Sequence, residues 1–307
     1  MKHISVLLNE TIDSLNIKDN GIYVDCTLGY AGHSSAILER LKKGRLIAFD
    51  QDNDARSFSE NKLSKIGDNF EIIPTNFVNL KEELLKRGIN EVDGIMFDLG
   101  VSSPQLDDTT RGFSFHEDAK LDMRMNKDSS LSAYEVVNNY SCNDLIRILK
   151  DYGEEKYATS IVKAIDKYRK DKKIETTLEL VDIISSAVPV KYKRLTHPAR
   201  RTFQAIRIEV NKELEILPKA LNDAIDMLKI DGVISVITFH SLEDKICKRV
   251  FTERSKLSEM AKGLPLVPDD LKPELDVLKK IKPSKEEIED NKRSRSATLR
   301  VAIRKRR

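Results

Sequence analysis

The stretch from Tyr23 to Asp50 constrains this chain more than any other. A β-branched run, Ile22-Tyr23-Val24, leads through Asp25-Cys26-Thr27 into the small-residue loop Leu28-Gly29-Tyr30-Ala31-Gly32-His33-Ser34. A helix-like segment then reaches Arg40, and a second apolar run, Leu46-Ile47-Ala48-Phe49, ends on Asp50. In a unit of strand, glycine loop, helix, strand and acid, the glycines let backbone approach a ligand and the helix N-terminus offers unpaired N–H groups. The acid about 20 residues on accepts hydrogen bonds from ribose hydroxyls. The pattern asks for an adenosine-like cofactor, NAD or S-adenosylmethionine. Gly29-Tyr30-Ala31-Gly32 lacks the G-x-G-x-x-G spacing that holds a pyrophosphate, and Asp25 stands where a pyrophosphate would be repelled. S-adenosylmethionine carries no phosphate and tolerates nearby carboxylates, so the loop favours it; a nucleotide cofactor, or a tight turn with no ligand, stays open.

At 307 residues and 40% hydrophobic content the chain can bury one large core or two modest ones. No apolar run approaches the roughly 18 to 20 residues needed to span a bilayer, and the N-terminal residues reach Asn9-Glu10 without a signal-like cleavage region. A cytoplasmic protein with no membrane partner is expected. Cys26, Cys142 and Cys247 are widely spaced and form no C-x-x-C, which reads as reduced structural thiols. The net charge of +3 diagnoses no partner, but its distribution says more. Lys191, Lys193, Arg194, Arg200, Arg201 and Arg207 follow one another without an intervening carboxylate, and the chain ends in Arg304-Lys305-Arg306-Arg307. A solvated basic face explains the first group as well as a partner does, and explains the tail better than a partner does.

Strand and helix signals alternate over the first hundred residues. Ile22–Val24, Leu46–Phe49, Glu71–Ile73 and Gly94–Phe97 read as buried strands, separated by helical stretches at Ser34–Leu41, Asn53–Ser64 and Leu80–Arg87. That is an α/β chain with a doubly wound parallel sheet. From about Thr109 to Arg201 only helical periodicity is found, in Cys142–Tyr152, Lys156–Lys170 and Thr177–Ala187. A helix at Lys212–Leu228 and the turn Asp231-Gly232 then lead into a strand, Val233–Phe239. A further helix spans Leu242–Phe251, a Pro/Lys/Glu-rich connection with a short helix spans 261–290, and Ser296–Ile303 alternates as a last strand. The expected organisation is a discontinuous domain, 1–108 and 202–307, carrying a helical insertion at 109–201.

Ligands of open α/β sheets bind beyond the carboxyl ends of strands. After Phe97 comes Asp98-Leu99-Gly100-Val101-Ser102-Ser103-Pro104-Gln105-Leu106-Asp107, after Ile73 comes Pro74-Thr75-Asn76-Phe77, and after Ile237 comes Thr238-Phe239-His240-Ser241-Leu242-Glu243-Asp244. Asp98 and Ser241 could simply cap the turns or helices after them. The convergence of Asp25, Asp50, Asp98 and His240 on one sheet edge argues for a site. His33 and His240 show no H-x-x-x-H or comparable spacing, so no metal is expected. Asp107-Asp108 and Glu117-Asp118 lie in loop-like sequence, and Ser102-Ser103 form no G-x-S-x-G elbow, which disfavours serine hydrolysis.

These blocks, with His3-Ile4-Ser5-Val6-Leu7-Leu8-Asn9-Glu10, Arg111-Gly112-Phe113-Ser114-Phe115, Leu121-Asp122-Met123-Arg124-Met125 and His197-Pro198-Ala199-Arg200-Arg201-Thr202-Phe203-Gln204-Ala205-Ile206-Arg207, resemble the RsmH/MraW methyltransferases almost end to end. The resemblance implies a class I (Rossmann-like) S-adenosylmethionine-dependent fold with a helical insertion, acting on the exocyclic N4 of a cytosine in small-subunit (16S) ribosomal RNA. It implies that Ala31, Gly32 and His33 hold the methionine portion of the cofactor, Asp50 the ribose and Phe77 the adenine, with Asp98 and Gln105 completing the pocket. The family loop usually carries a second glycine where this chain has Ala31. Asp98, with Ser102 nearby, is the expected acceptor region in catalysis; the family lacks the Pro-Pro-aromatic loop of many amino-methyltransferases, so their catalytic contacts do not carry over. Arg111, Arg200, Arg201 and His240 are the expected substrate-binding residues, small-subunit RNA the expected partner, and a homodimer is left open. The competing readings are a non-catalytic RNA-binding assembly factor and an NAD-dependent oxidoreductase.

Overall fold

The structure, a computed structural model, describes residues 5–257, 259–261, 263–268 and 271–306, so His3-Ile4 of the N-terminal block and Arg307 of the basic tail lie outside the described residues. The chain divides into two compact units, 1–100 with 214–307, and 101–213.

The first unit is built on a seven-stranded sheet. Strands β1 (Ile22–Asp25), β2 (Arg45–Phe49), β3 (Phe70–Ile73), β4 (Val92–Asp98), β5 (Leu228–Thr238), β6 (Leu275–Val277) and β7 (Thr298–Arg304) lie in the order β3-β2-β1-β4-β5-β7-β6. The first five run parallel, while β7 pairs antiparallel with β5 and β6 antiparallel with β7. A parallel sheet is covered on both faces, which is why its strands read as unbroken apolar runs. Alternate residues feed two cores. Val24, Ile47, Phe49, Ile95 and Phe97 pack with Leu217, Leu221 and Phe251 on one side. Tyr23, Leu46, Ala48 and Met96 pack with Leu15, Ile37 and Leu63 on the other. At Gly94 a Cβ would meet the Tyr23 ring at 2.9 Å, so the largest side chain of β1 fits only because its neighbour in β4 has none. Strand order reverses between β1 and β4, and the crevice at that switch point is where an open α/β sheet receives its ligand.

Two features depart from the sequence reading. β6 lies inside the stretch read as connection plus short helix; it has three residues, of which only Leu275 is buried, too few to show a period. β5 begins at Leu228, through the expected turn at Asp231-Gly232, because Val92 pairs with Leu228 and the register then shifts so that Gly94 pairs with Val233. That irregularity leaves Asp231 at φ 63°, in the left-handed region.

The second unit is helical and packs Val136, Leu145, Ile148, Leu149, Ile161, Ile165, Leu180, Ile184, Phe203 and Ile206 into one core. Its helices are bounded by their own sequence. Ser132 with Glu135 and Thr176 with Glu179 form reciprocal capping boxes, and Ser141 caps the helix Cys142–Asp151 by accepting from the Asp144 N–H. At the end of the helix Ala133–Asn139, Arg169 donates to the Val137 and Tyr140 carbonyls at 2.9 and 2.8 Å. The unit extends past residue 201 because the helix Arg200–Asn211 places Phe203, Ala205, Ile206 and Val210 in this core. No helix among the described residues is long and apolar enough to cross a membrane.

Candidate active site of the sheet unit

The glycine loop is held from both ends by carboxylates at strand termini. Asp25, the last residue of β1, is 1% exposed. It accepts from the Thr27 N–H at 3.0 Å through one oxygen and from the Ser34 hydroxyl at 2.7 Å through the other. Burial raises its pKa, while these three donors, Ser34 and the N–H and hydroxyl of Thr27, oppose the rise. Asp50, beyond the end of β2, accepts from the Gly29 N–H at 2.8 Å through Oδ2 and from the Asp52 N–H at 2.8 Å through Oδ1. Burial pushes its carboxyl up to about 6 against those bonds. The acid that the spacing marks as a ribose acceptor is therefore also the anchor of the loop, and each oxygen keeps capacity for a second hydrogen bond.

Between these anchors Gly29 and Ala31 take φ of 48° and 53°. For Ala31 that conformation costs roughly 1 to 2 kcal/mol, and the position is fully buried. The helix Asn53–Leu63 restrains the loop from behind: Ser59 donates to the Gly29 carbonyl at 2.8 Å, and Lys62 to the Tyr30 and Ala31 carbonyls at 3.1 and 3.0 Å. Ala31 in turn is the N-terminal boundary of the helix Gly32–Leu38 and makes no side-chain cap, which leaves early N–H groups of that helix for other acceptors.

Asp98 closes β4. Its backbone N–H is held by the Thr27 hydroxyl at 2.6 Å, which ties the β4 end to the loop. Its Oδ2 faces His33 Nδ1 at 3.6 Å, and its Oδ1 is buried without a hydrogen-bond partner among the described residues. Burial, then the carboxylates of Asp25 and Glu243, push the Asp98 carboxyl up to about 8. On its other side the His33 ring meets the Val6 carbonyl through Nε2 at 3.1 Å. A carbonyl only accepts, so Nε2 carries the hydrogen, and in the neutral ring Nδ1 is an acceptor turned towards Asp98. The pair is thus arranged around one proton.

At the end of β5, His240 precedes the helix Ser241–Arg254 as its cap residue, a place the sequence had offered to Ser241. Its Nε2 lies 3.1 Å from Glu243 Oε1, and Glu243 Oε2 accepts from the Phe239 and His240 N–H groups at 2.8 and 3.3 Å. Phe77 begins a single 3-10 turn after β3 and meets Phe97 edge-on at 5.5 Å. Asp25, Ala31, Gly32, His33, Asp50, Phe77, Asp98 and His240 all belong to this unit, at the carboxyl ends of β1 and β4 or on the segments that follow β1, β2, β3 and β5.

The other expected residues lie in the helical unit. Ser102 and Gln105 form a capping box for the short helix Ser103–Asp107, with Gln105 Oε1 accepting from the Ser102 N–H at 3.0 Å. Arg111, expected at the substrate, is 5% exposed and donates to the Arg124 and Met125 carbonyls at 2.9 and 3.2 Å, which organises the loop that carries it. Arg200 is exposed at the start of the helix Arg200–Asn211, and Arg201 donates to the Glu154 carbonyl. Sequence reading did not single out Glu243, Thr27, Ser59 or Lys62. His240-x-x-Glu243 carries the capping-box spacing that could have drawn attention to Glu243. Ser59 and Lys62 sit three apart on an ordinary surface helix and give no such signal.

The sequence signature of the MraW methylase family matches residues 1–305. The chain belongs to this family. It is a methylase of class I, Rossmann-like fold whose cofactor is S-adenosylmethionine, and the NAD reading lapses. Among solved structures, the chain is 12% identical to an rRNA methylase from Streptococcus thermophilus, covering 99% of each chain at a TM-score of 0.47. It is 13% identical to a putative rRNA-methylase from Clostridium thermocellum, covering 98% of each at 0.46. With a putative methyltransferase from Streptococcus mutans in complex with SAH it shares 12% identity, over 98% of this chain and 99% of that one, at 0.44. The family match, not these distant likenesses, carries the assignment.

Proposed function

We propose that this methylase transfers the methyl group of S-adenosylmethionine to the exocyclic N4 of a cytosine in the 16S RNA of the small ribosomal subunit. The observation that carries the reading is Asp98: a buried carboxylate oxygen without a partner among the described residues, at the carboxyl end of β4, beside a loop whose backbone is held open by two other carboxylates. The residues suit the cofactor. The left-handed Gly29 and Ala31 give close backbone approach, Asp50 has hydrogen-bonding capacity for ribose hydroxyls, Phe77 offers a ring for adenine, and no pyrophosphate has to be accommodated near Asp25. In this reading Ala31, Gly32 and His33 hold the methionine portion.

When bound, S-adenosylmethionine supplies a methyl group already activated by its sulfonium. What remains for the chain is alignment and charge. Cytosine N4 is a poor nucleophile because its lone pair is delocalised into the ring, so an acceptor on its N–H returns electron density as the new bond forms. Asp98 Oδ1 is that acceptor, and a carboxylate raised to about 8 is a stronger base than an ordinary one while still exchanging its proton near neutral pH. His33 Nδ1, fixed by the Nε2–H bond to Val6, orients the other carboxylate oxygen. The helical unit, with Arg200 and Arg201, grips RNA phosphates, and extrusion of the target base costs a few kcal/mol unless the RNA is already single-stranded.

Tritium transfer from labelled S-adenosylmethionine to small ribosomal subunits, followed by nucleoside analysis, tests the reading. Label in N4-methylcytidine is expected. Label in another nucleoside overturns the N4 assignment, and subunit binding without transfer makes the chain a non-catalytic assembly factor.

A further inference from the structure

Within the helical unit four aromatic rings meet in a cluster that the proposed chemistry does not use. Phe115 stacks on His197 at 4.4 Å with 24° between their planes. His116 leans on Phe115 at 4.6 Å and meets His197 edge-on at 5.2 Å. Phe203 supports Phe115 edge-on at 5.7 Å and is 3% exposed, so the cluster is rooted in the helical core. Its outer members behave differently. His116 is exposed, and Phe115 and His197 are only partly covered.

A purely structural cluster at this place would close on itself with apolar rings. Instead one imidazole, His116, is exposed and a second, His197, is partly covered with its Nδ1 accepting from the Ala199 N–H at 3.4 Å. Burial and the neighbouring His116 lower the pKa of His197, which favours the neutral, stacking form. The cluster also adjoins the carboxylate-free basic run from Lys191 to Arg207. The Arg200 N–H donates to the His197 carbonyl at 3.2 Å, so the ring and the first turn of the helix Arg200–Asn211 are one local structure. Lys191, Lys193, Arg194 and Arg200 are all exposed, and none draws an ion pair among the described residues. Arginines in a first helical turn oppose the helix dipole, so nothing in the fold itself rewards Arg200 there. Open aromatic faces flanked by unpaired cations are the combination that holds single-stranded nucleic acid, rings taking bases and cations taking phosphates.

We propose that His116 and His197, braced by Phe115 and Phe203, form a stacking site for an unpaired nucleobase of the RNA substrate, with Arg200 on the adjoining phosphate. The site rests on the RNA-methylation reading and adds to it a specific place of contact outside the cofactor loop. The residues are positioning residues: they hold RNA and take no part in methyl transfer.

The test uses the full chain, small ribosomal subunits and labelled S-adenosylmethionine. His116→Ala should raise KM for subunits about 5- to 150-fold, the range of a lost base–aromatic stack, with kcat, the thermal midpoint and S-adenosylmethionine affinity unchanged. His116→Phe, which keeps the stacking face, should restore KM, and His197→Phe should do so where His197→Ala does not. An unchanged KM in His116→Ala, alongside normal methyl transfer by the parent chain, overturns the stacking site and leaves the methylation reading intact. A loss in His116→Ala that His116→Phe does not restore overturns it as well, because the imidazole would then act by hydrogen bonding. If the parent chain itself transfers no label to subunits, the methylation reading falls and takes the site with it.

Discussion

Asp98 Oδ2 and His33 Nδ1 face each other across 3.6 Å, one at the end of β4 and the other in the first turn of the helix Gly32–Leu38. The Val6 carbonyl on the far side of the ring decides which histidine nitrogen carries hydrogen, and so turns an acceptor towards a carboxyl that is itself raised to about 8. The N-terminal segment thereby reaches the candidate catalytic carboxylate through one ring.

That raised carboxyl has a consequence for stability. In the unfolded chain Asp98 titrates near the usual ~3.9, whereas in the folded protein it holds its proton up to about 8. Between those values the folded state binds more protons, so the unfolding free energy falls as pH rises from about 4 to about 8. Asp98→Asn cannot lose a proton, and its stability relative to the parent should improve progressively over that window. Denaturant unfolding of both proteins at a series of pH values checks this, and parallel curves would show an ordinary carboxyl. The same substitution should lower single-turnover methyl transfer at saturating cofactor.

Asp50→Ala removes both the proposed ribose acceptor and the tether on the Gly29 N–H. Loss of one charge-assisted bond costs roughly 1.5 to 3 kcal/mol, which is about 10- to 150-fold in S-adenosylmethionine affinity. Calorimetric titration measures it, and an unchanged dissociation constant removes Asp50 from the cofactor site.

Ser34→Ala leaves Asp25 Oδ2 without its hydroxyl donor inside the fold. A buried acceptor stripped of its partner costs about 1 to 3 kcal/mol. Chemical denaturation should show a loss of that size with an unchanged m-value, and a loss below about 0.5 kcal/mol would mean that water replaces the hydroxyl.

Replacing Arg200 and Arg201 together with alanine should weaken subunit binding and flatten its salt dependence, by about 0.7 to 0.9 in the log–log slope for each phosphate no longer neutralised. Arg201 already donates to the Glu154 carbonyl, so Arg200→Ala alone should produce most of the change in slope. An affinity and slope that do not move, with cofactor binding intact, return both arginines to the scaffold.

Much of the fold was legible because its physics is local or periodic. Buried parallel strands announce themselves as apolar runs, and the expected β1, β2, β3 and β4 each lie within the observed strand or coincide with its core. β6 was invisible because three residues with one buried side chain carry no period. The helix Arg200–Asn211 belongs with the helices before it rather than with the sheet, since its stripe from Phe203 to Val210 finds a core only after the chain has folded back. For Arg111, expected at the substrate, residue type did not reveal the carbonyls of Arg124 and Met125 to which its guanidinium donates, because those come within reach only once the loop is folded.

By itself the sequence determined the α/β class, the strand-loop-helix-acid unit with its preference for S-adenosylmethionine, and the places where a carboxylate or histidine follows a strand. These are decided by residue type and short spacing. Tertiary structure alone decided what those groups do to one another. Asp25, Asp98 and Glu243 stand on segments far apart in sequence, and only strand order brings them close enough for burial and the two neighbouring carboxylates to raise the carboxyl of Asp98. Proton affinity depends on distance and solvent exclusion, quantities that a linear order of residues does not contain.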